Sequence, residues 1–245
     1  MLPAQQGQSS LAEAWKPTCE IWKWGNMYRT ILWDNDGILV RSEDLYYEAT
    51  REIMRQVKIE LTIETYRQYF LKENGGAWHL VRAQGHDSLC VEKLRAARNE
   101  IYGRLLQTRD IAMDGAGEVL RRLAGRFRMG IVTSSRREHF EIIHRRTGFL
   151  PYFDFVIGEG DYRYSKPDPE PYQIAVERCG GRVDECLAIE DSERGLRSAK
   201  GAGLDCWVIP TSLTAGSDFG GADRVVEDIR RIPDLLLNPE EEIQT

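Results

Sequence analysis

A short apolar run that stops at two carboxylates constrains this chain more than any other feature of its sequence. Residues 30–33 read Thr-Ile-Leu-Trp, and the motif Asp34-Asn35-Asp36-Gly37 follows directly. The run predicts a β-strand and the glycine predicts a turn, so both acids lie where a strand gives way to a loop. Alternate side chains of an extended chain face the same way, so Asp34 and Asp36 can share a pocket. An Asp-Gly turn that merely ends a strand would leave the same pattern.

Strands and helices alternate over the second half of the chain. The apolar periodicity predicts helices at 115–125, 138–147, 170–179 and 193–202, and strands at 127–132, 153–158, 186–189, 205–209 and 224–226. Such alternation indicates parallel β-α units. We therefore expect an α/β fold with a doubly wound (Rossmann-like) parallel sheet that also includes the first strand.

The region between the first strand and this alternation shows only helical patterns. Residues 42–57 place apolar side chains four positions apart, and further helices are predicted at 63–72, 77–84 and 89–107, with a flexible break at 73–76. We expect a small helical cap domain, residues 42–110, inserted into an α/β core domain of residues 27–41 and 111–245. Residues 1–26 are expected to form a disordered extension.

Three further strand ends carry polar residues. They are Thr133 with Ser134, Lys166 in its loop, and Glu190 with Asp191. Because the carboxyl ends of parallel strands lie along one edge of a sheet, these side chains can converge on Asp34. Taken singly, each has a simpler explanation: the hydroxyls and acids can cap helices, and the lysine can lie in a solvated loop.

Composition and charge exclude several classes of protein. The 245-residue chain has a formal net charge of −6, with acids and bases interspersed, so we expect no nucleic-acid partner. No apolar run reaches the roughly 18 residues that span a bilayer, and the N-terminus lacks a signal-peptide pattern. We therefore expect a cytoplasmic protein without membrane contact.

The cysteines and histidines point to no disulfide framework and no transition-metal site. The five cysteines are odd in number, far apart in the sequence and without a Cys-x-x-Cys pair. The four histidines show no metal-ligand spacing. We expect reduced, mostly buried thiols.

Four motifs occur in the order known for the haloacid dehalogenase-like superfamily, which this chain resembles. They are Asp34-x-Asp36-Gly37, Thr133 after an apolar strand, Lys166-Pro167-x-Pro169, and Glu190-Asp191-Ser192-x-x-Gly195. The resemblance covers about residues 27–237 and is to the phosphatase and phosphomutase branch with a helical cap. It implies a phosphatase, a monomer or homodimer, that hydrolyses a small phosphorylated metabolite such as a sugar phosphate or a phosphoglycolate-like acid.

The chemistry assigns roles to these residues. Phosphate monoester hydrolysis needs an in-line nucleophile, cations for the equatorial oxygens and an acid for the leaving group. We expect Asp34 to be the nucleophile, forming an aspartyl-phosphate, and Asp36 to act as general acid and base. The resemblance implies that Thr133, Ser134 and Lys166 bind the phosphoryl group.

Two neighbouring acids and a dianionic ester repel one another, so a cation is expected as well. Magnesium prefers oxygen ligands such as carboxylates, water and substrate phosphate. The resemblance implies ligation of Mg²⁺ by Asp34, the backbone carbonyl of Asp36 and Asp191. Glu190 is expected either to be a ligand or to hold a metal-bound water.

Several alternatives remain open at the level of sequence. A sugar phosphomutase shares all four motifs and differs by transferring the phosphoryl group to a second hydroxyl while the closed cap excludes water. The dehalogenase branch is disfavoured because Asp36 is retained, and the phosphonate-cleaving branch usually has a non-acidic residue at that position. A non-catalytic binding protein on this fold would be expected to lack one of the key residues.

Substrate choice is expected to reside in the helical cap. Lys72, His79 and Arg82 lie near the Gly75-Gly76 break, and Arg136 follows the second motif. We expect these four residues to contact the remote end of the substrate, although each can equally be a solvated charge.

Overall fold

The first strand lies inside the sheet. The computed structural model describes residues 28–73 and 75–238; the predicted extension of residues 1–26 lies outside the described residues. Within these ranges the strands are β1 (Thr30–Trp33), β2 (Arg128–Val132), β3 (Phe155–Ile157), β4 (Cys186–Glu190), β5 (Asp205–Val208) and β6 (Arg224–Val225). All neighbours pair in parallel, in the order β3-β2-β1-β4-β5-β6. The predicted parallel α/β sheet is therefore confirmed.

Helices occupy most of the predicted positions. They are α1 (Ser42–Gln56), α2 (Ile63–Tyr66), α3 (Trp78–Ala83), α4 (Ser88–Thr108), α5 (Ala116–Leu123), α6 (Arg137–Thr147), α7 (Glu170–Cys179), α8 (Glu193–Gly201) and α9 (Ile232–Leu237). Among the described helices, none has the length and apolar character needed to cross a membrane.

The sheet is covered on both faces because its strands are apolar on both sides. Ile31 and Trp33 of β1 pack in one apolar cluster with α5, α6 and α9. Leu32, which points the other way, packs in a second cluster with α7 and α8. This double covering is what near-continuous apolar strands predict for a parallel sheet.

The inserted helices, α1 to α4, bury apolar side chains of their own. A third cluster contains Met54, Tyr66, Phe70, Trp78 and Val91, separate from the two clusters on the sheet. Tyr102 and Leu106 of α4 instead join the larger sheet cluster, so these helices also rest on the α/β part. The division into a core domain and a cap domain at residues 42 and 110 stays a prediction.

The helix predicted at 63–72 differs in its second half. Only Ile63–Tyr66 is α-helical, and Arg67–Lys72 forms a wider π-helical turn. The rings of Tyr66 and Phe70 stack there, 4.8 Å apart. Arg67 donates to the carbonyls of Leu213 and Ser212 at 2.8 and 2.7 Å, which ties the turn to the loop after β5. Periodicity alone does not reveal such a change of helical pitch.

The described cysteines are free thiols. Cys179, Cys186 and Cys206 are buried and Cys90 is half-buried, as expected for reduced thiols, while Cys19 lies outside the described residues.

Candidate active site

Three neighbouring strands end side by side, and polar residues follow each of them. Asp34 comes directly after β1, Thr133 after β2, and Asp191 after β4. Because β1 pairs with both β2 and β4, these residues lie at one edge of the sheet. The structure thus brings together the strand ends that the sequence singled out.

Lys166 lies between two of the acids. Its Nζ donates to Asp34 Oδ1 at 2.6 Å, to Glu190 Oε1 at 2.6 Å and to the Val132 carbonyl at 2.7 Å. The lysine side chain is only 2% exposed. The Tyr172 hydroxyl donates to the same Glu190 oxygen at 2.7 Å. Lys166 is therefore a fixed positive charge beside Asp34, with little freedom to move.

Burial and mutual repulsion make the charged forms of the acids costly. Burial is the main cause that raises the pKa of Asp34 to about 7; Lys166 opposes the rise, and Glu190 and Asp36 add to it. Burial, then Asp34 and Glu190, raise the pKa of Asp191 well above its ordinary range. Lys166, together with Arg194, which opposes the rise for Asp191, does not balance this cluster, so a further cation at the site would stabilise the ionised acids.

The donor set of this cluster fits magnesium. Asp34, Glu190 and Asp191 each offer a carboxylate oxygen, and these oxygens lie within 4.8 Å of one another. Hard oxygen ligands at such spacing suit Mg²⁺. Gly37 has a φ of +88°, and a Cβ at this position would clash with the Asp191 carboxylate. Only glycine lets Asp191 come this close to the loop that carries Asp34 and Asp36.

Hydroxyl groups hold Asp36. Ser135 Oγ donates to Asp36 Oδ2 at 2.6 Å, and Thr133 Oγ1 lies 3.3 Å from the same oxygen. The hydroxyl of Ser42, the first residue of α1, donates to Asp36 Oδ1. Thr133, predicted to bind the phosphoryl group, therefore contacts the second acid. Ser42, at the start of the inserted helices, also contacts Asp36 directly.

A cavity of about 410 Å³ opens over the acids. The α/β part contributes Asp34, Asp36, Ser134 and Asp191 to its lining. The inserted helices contribute Tyr46, Phe70, Trp78, Arg95, Arg98 and Tyr102. Arg98 is 6% exposed, its guanidinium lies over the Tyr46 ring at 4.2 Å, and its Nη1 has no hydrogen-bond partner among the described residues. The cavity thus carries acids and arginines on the side of the α/β part, and aromatic rings, arginines and the acid Glu43 on the side of the inserted helices.

The four predicted specificity residues do not share one location. Arg136 lines the cavity. Lys72, His79 and Arg82 are exposed, and they are not among the described residues of the lining. The His79 ring instead packs edge-on against Tyr69, with centroids 4.5 Å apart. Substrate contact by these three side chains stays a prediction.

Sequence reasoning missed several residues around the acids. Arg194, on the first turn of α8, lines the cavity, and Tyr172 on α7 holds Glu190. Arg194 lies within the fourth motif and Tyr172 follows the third, each on a helix that starts near the sheet edge, and that position was an available signal. Arg98 gave no such signal, because the direction in which α4 faces depends on how the helices pack.

The fold and the site together define a class of protein. Its members have a doubly wound α/β sheet with helices inserted after the first strand, and they carry an acidic site with a lysine at the carboxyl edge of that sheet. The sequence pattern of the haloacid dehalogenase-like hydrolases matches residues 28–203. The chain belongs to this family, as its four motifs predicted.

Two named relatives and one solved structure show how much of the chain the similarity covers. Protein CbbY of Cereibacter sphaeroides is 30% identical over 223 residues, which are 85% of this chain and 96% of the relative. The phosphorylated carbohydrates phosphatase of Thermotoga maritima is 28% identical, over 87% of this chain and 98% of its own. The crystal structure of CbbY from Rhodobacter sphaeroides in complex with phosphate has a TM-score of 0.71 and 26% identity, over 84% and 96% of the two chains. The similarity therefore spans the inserted helices as well as the sheet.

Proposed function

We propose that this protein is a magnesium-dependent phosphatase that hydrolyses a small phosphate monoester through an aspartyl-phosphate on Asp34. The observation that carries the proposal is the buried Lys166, fixed between Asp34 and Glu190, with Asp34 itself lining a polar cavity. A lysine in this place can hold an anionic ester against a carboxylate that would otherwise repel it. Membership in the hydrolase family and a relative named as a phosphatase support the assignment.

Asp34 is suited to attack the phosphorus atom. Lys166 binds its Oδ1 and favours the ionised form, which leaves Oδ2 as the attacking oxygen. In this step a bond forms between Asp34 and phosphorus, and the bond from phosphorus to the ester oxygen breaks. Lys166 also supplies fixed charge for the phosphoryl oxygens as the reaction proceeds.

Asp36 is suited to move the proton. It protonates the departing ester oxygen and later accepts a proton from the water that hydrolyses the aspartyl-phosphate. Ser135 and Thr133 hold its Oδ2, so the carboxyl group has a fixed orientation. The two acids lie in unequal surroundings, because Asp34 faces a lysine and Asp36 faces hydroxyls, which suits their different roles.

The metal would be held by oxygen ligands of the same loop and strand end. Asp34, the backbone carbonyl of Asp36 and Asp191 would ligate Mg²⁺. Glu190 Oε1 is already bound by Lys166 and Tyr172, so Glu190 is better placed to orient the neighbours of the ion than to ligate it through that oxygen. When bound, the ion would neutralise negative charge on the phosphoryl oxygens and on Asp34.

The cavity suits a small polar substrate. Its volume of about 410 Å³ holds a phosphorylated sugar or a phosphorylated acid, and Arg95, Arg98 and Arg136 in its lining are donors for hydroxyl or carboxylate groups. Tyr46 and Trp78 offer apolar surface for a sugar ring. We therefore place the substrate among sugar phosphates and phosphoglycolate-like acids.

The proposal is tested by release of inorganic phosphate from a panel of small phosphate monoesters. Wild-type protein would be assayed with Mg²⁺ and with EDTA, beside the Asp34→Asn variant. Asp110→Asn is the matched control, because that side chain is 86% exposed. We expect release that requires Mg²⁺, persists in Asp110→Asn and disappears in Asp34→Asn, with both variants folded by circular dichroism.

Two results would contradict the proposal. Full activity in Asp34→Asn would exclude the aspartyl-phosphate. Absence of phosphate release from every ester, together with Mg²⁺-dependent interconversion of sugar phosphates in the presence of a bisphosphate primer, would indicate a phosphomutase instead.

A further inference from the structure

Asn35 lies between the two acids of the first motif but points away from them. Its side chain is 0% exposed, while Asp34 and Asp36 line the cavity. Alternate residues of an extended segment face opposite sides, so a residue between two site carboxylates is directed into the protein interior. The Asn35 amide therefore lies behind the loop that carries both acids.

His144 on α6 holds that amide. His144 Nε2 lies 2.9 Å from Asn35 Oδ1, and His144 is 3% exposed. On the other side of the ring, Nδ1 lies 3.2 Å from the Thr147 hydroxyl, which accepts the Phe149 N–H at 3.4 Å. Because the Asn35 Oδ1 can only accept, the neutral ring carries its proton on Nε2 and donates it to Asn35, and Nδ1 then accepts from the Thr147 hydroxyl. A chain of hydrogen bonds thus runs from the end of α6 to the motif.

The backbone of Asn35 closes the same loop. Its carbonyl accepts the N–H groups of Leu39 and Val40 at 2.9 and 3.1 Å, and the Gly37 N–H donates to the Val40 carbonyl at 2.8 Å. The loop from Asp34 to Val40 is therefore anchored at Asn35 from two directions. A rotation of Asn35 would change the relative directions of Asp34 and Asp36.

A buried polar pair is a costly way to fill this space. Apolar side chains would pack there without desolvation cost, and the Asn35 Nδ2 has no hydrogen-bond partner among the described residues. Unlike apolar packing, a hydrogen bond gives the Asn35 amide a preferred direction. The pair is thus better explained by geometry than by stability.

We propose that His144 is a positioning residue for phosphoryl transfer: through Asn35 it fixes the orientation of Asp34 relative to Asp36. This inference rests on the proposed phosphatase function. His144 is 3% exposed and is not among the described residues that line the cavity, so it acts on the alignment of attack and proton transfer and leaves substrate binding unchanged. A misplacement of reacting groups by about 1 Å can cost on the order of 100-fold in rate.

The test compares His144→Leu, which removes the donor at similar volume, with His144→Gln, whose amide can still donate to Asn35. Phe140→Leu is the packing control: its ring lies 4.3 Å from the His144 ring on the same helix but makes no contact of this kind with Asn35. We expect kcat to fall roughly 10- to 100-fold in His144→Leu, with KM within about twofold of wild type. His144→Gln should recover most of kcat, and Phe140→Leu should lower only the free energy of unfolding.

A double-mutant cycle adds a second readout. Because His144 acts through Asn35, the variant carrying both Asn35→Leu and His144→Leu should lose no more kcat than the worse single variant. The ¹⁵N shifts of the His144 ring in wild type should show a neutral ring protonated on Nε2, and this signature should change in Asn35→Leu.

Distinct outcomes separate the two proposals. Four outcomes would overturn the positioning role and leave the phosphatase proposal standing. They are an unchanged kcat in a folded His144→Leu, a rise in KM in place of a fall in kcat, an equal loss of kcat in His144→Gln, and additive losses of kcat in the double variant. An inactive wild type would overturn the phosphatase proposal itself and with it this inference.

Discussion

Lys166 Nζ lies 2.6 Å from Asp34 Oδ1, and the two side chains are buried at the end of β1. The pair joins residues 132 positions apart in the sequence. Neither partner would be stable there as a lone charge, because desolvation of an unpaired ion in a protein interior costs several kcal/mol. The ion pair therefore links the fold of the loop at residue 166 to the chemistry proposed for Asp34.

Replacement of Lys166 by methionine should remove activity and stability together. The loss of its positive charge leaves Asp34 and Glu190 buried without their cation, so we expect the free energy of unfolding to fall by about 3–5 kcal/mol. Phosphate release should fall by at least about 100-fold. Lys200→Met is the matched control, since its pair with Asp223 is partly exposed and is worth about 0–1 kcal/mol. Equal effects in urea unfolding for the two variants would contradict this account.

Gly37→Ala should weaken metal binding specifically. The added Cβ clashes with the Asp191 carboxylate and displaces an expected ligand. Gly125 also has a positive φ, +73°, but a Cβ there meets no described atom within 4 Å. Both variants should lose about 1–2 kcal/mol from backbone strain, but only Gly37→Ala should need a higher Mg²⁺ concentration for half-maximal phosphate release. The same Mg²⁺ requirement in both variants would remove Asp191 from the metal site.

Arg98→Met should impair the reaction more than Arg82→Met. Arg98 is buried in the cavity lining, and its Nη1 has no hydrogen-bond partner in the part of the chain that the structure describes, whereas Arg82 is exposed on α3. We expect kcat/KM on the best ester to fall roughly 10-fold or more in Arg98→Met, corresponding to one lost charged hydrogen bond. A larger loss in Arg82→Met would restore the original prediction for that residue and count against the cavity as the substrate site.

Stability should depend on pH through His144. Burial lowers the pKa of His144 from 6.5 to about 4, although Asp36 opposes the shift. Between these values the unfolded chain binds a proton that the folded protein does not, so stability is lost as the pH falls from 6.5 towards 4. At pH 5 this loss should be about 2 kcal/mol relative to pH 7.5, and it should be absent in His144→Gln. The free energy of unfolding would be measured in urea at several pH values for both proteins. If it falls with pH by the same amount in wild type and in His144→Gln, His144 is not the group responsible.

The fold was predictable from the sequence because strands and helices alternate with clear periodicity. The strand before Asp34 and the four later helices of the α/β part were each located to within a few residues. The order of the strands in the sheet could not be predicted, because alternation specifies parallel units but not which strands become neighbours. The π-helical turn at Arg67–Lys72 was missed for a related reason: stacking of Tyr66 on Phe70 and the contact of Arg67 with a distant loop depend on tertiary packing.

The site was predictable only where a motif ends a strand. Asp34 and Asp191 could be placed together because parallel strands share a carboxyl edge, whereas Lys166 lies further along the loop after β3 and was placed by its own motif. The side of the cavity formed by the inserted helices could not be predicted, since the face that α4 turns towards the cavity depends on how these helices pack. His144 looks like an ordinary polar residue of an amphipathic helix, and only the structure shows its contact with Asn35.

An aspartyl-phosphate on Asp34 can be trapped during turnover. The protein would be mixed with Mg²⁺ and its best ester labelled with ³²P, then quenched in acid within milliseconds, and its peptides mapped after borohydride reduction of the acyl phosphate. We expect label on the peptide that contains Asp34, reduction of that residue alone, and no label in Asp34→Asn. Label on another residue, or rapid turnover by Asp34→Asn without labelled protein, would contradict the aspartyl-phosphate mechanism.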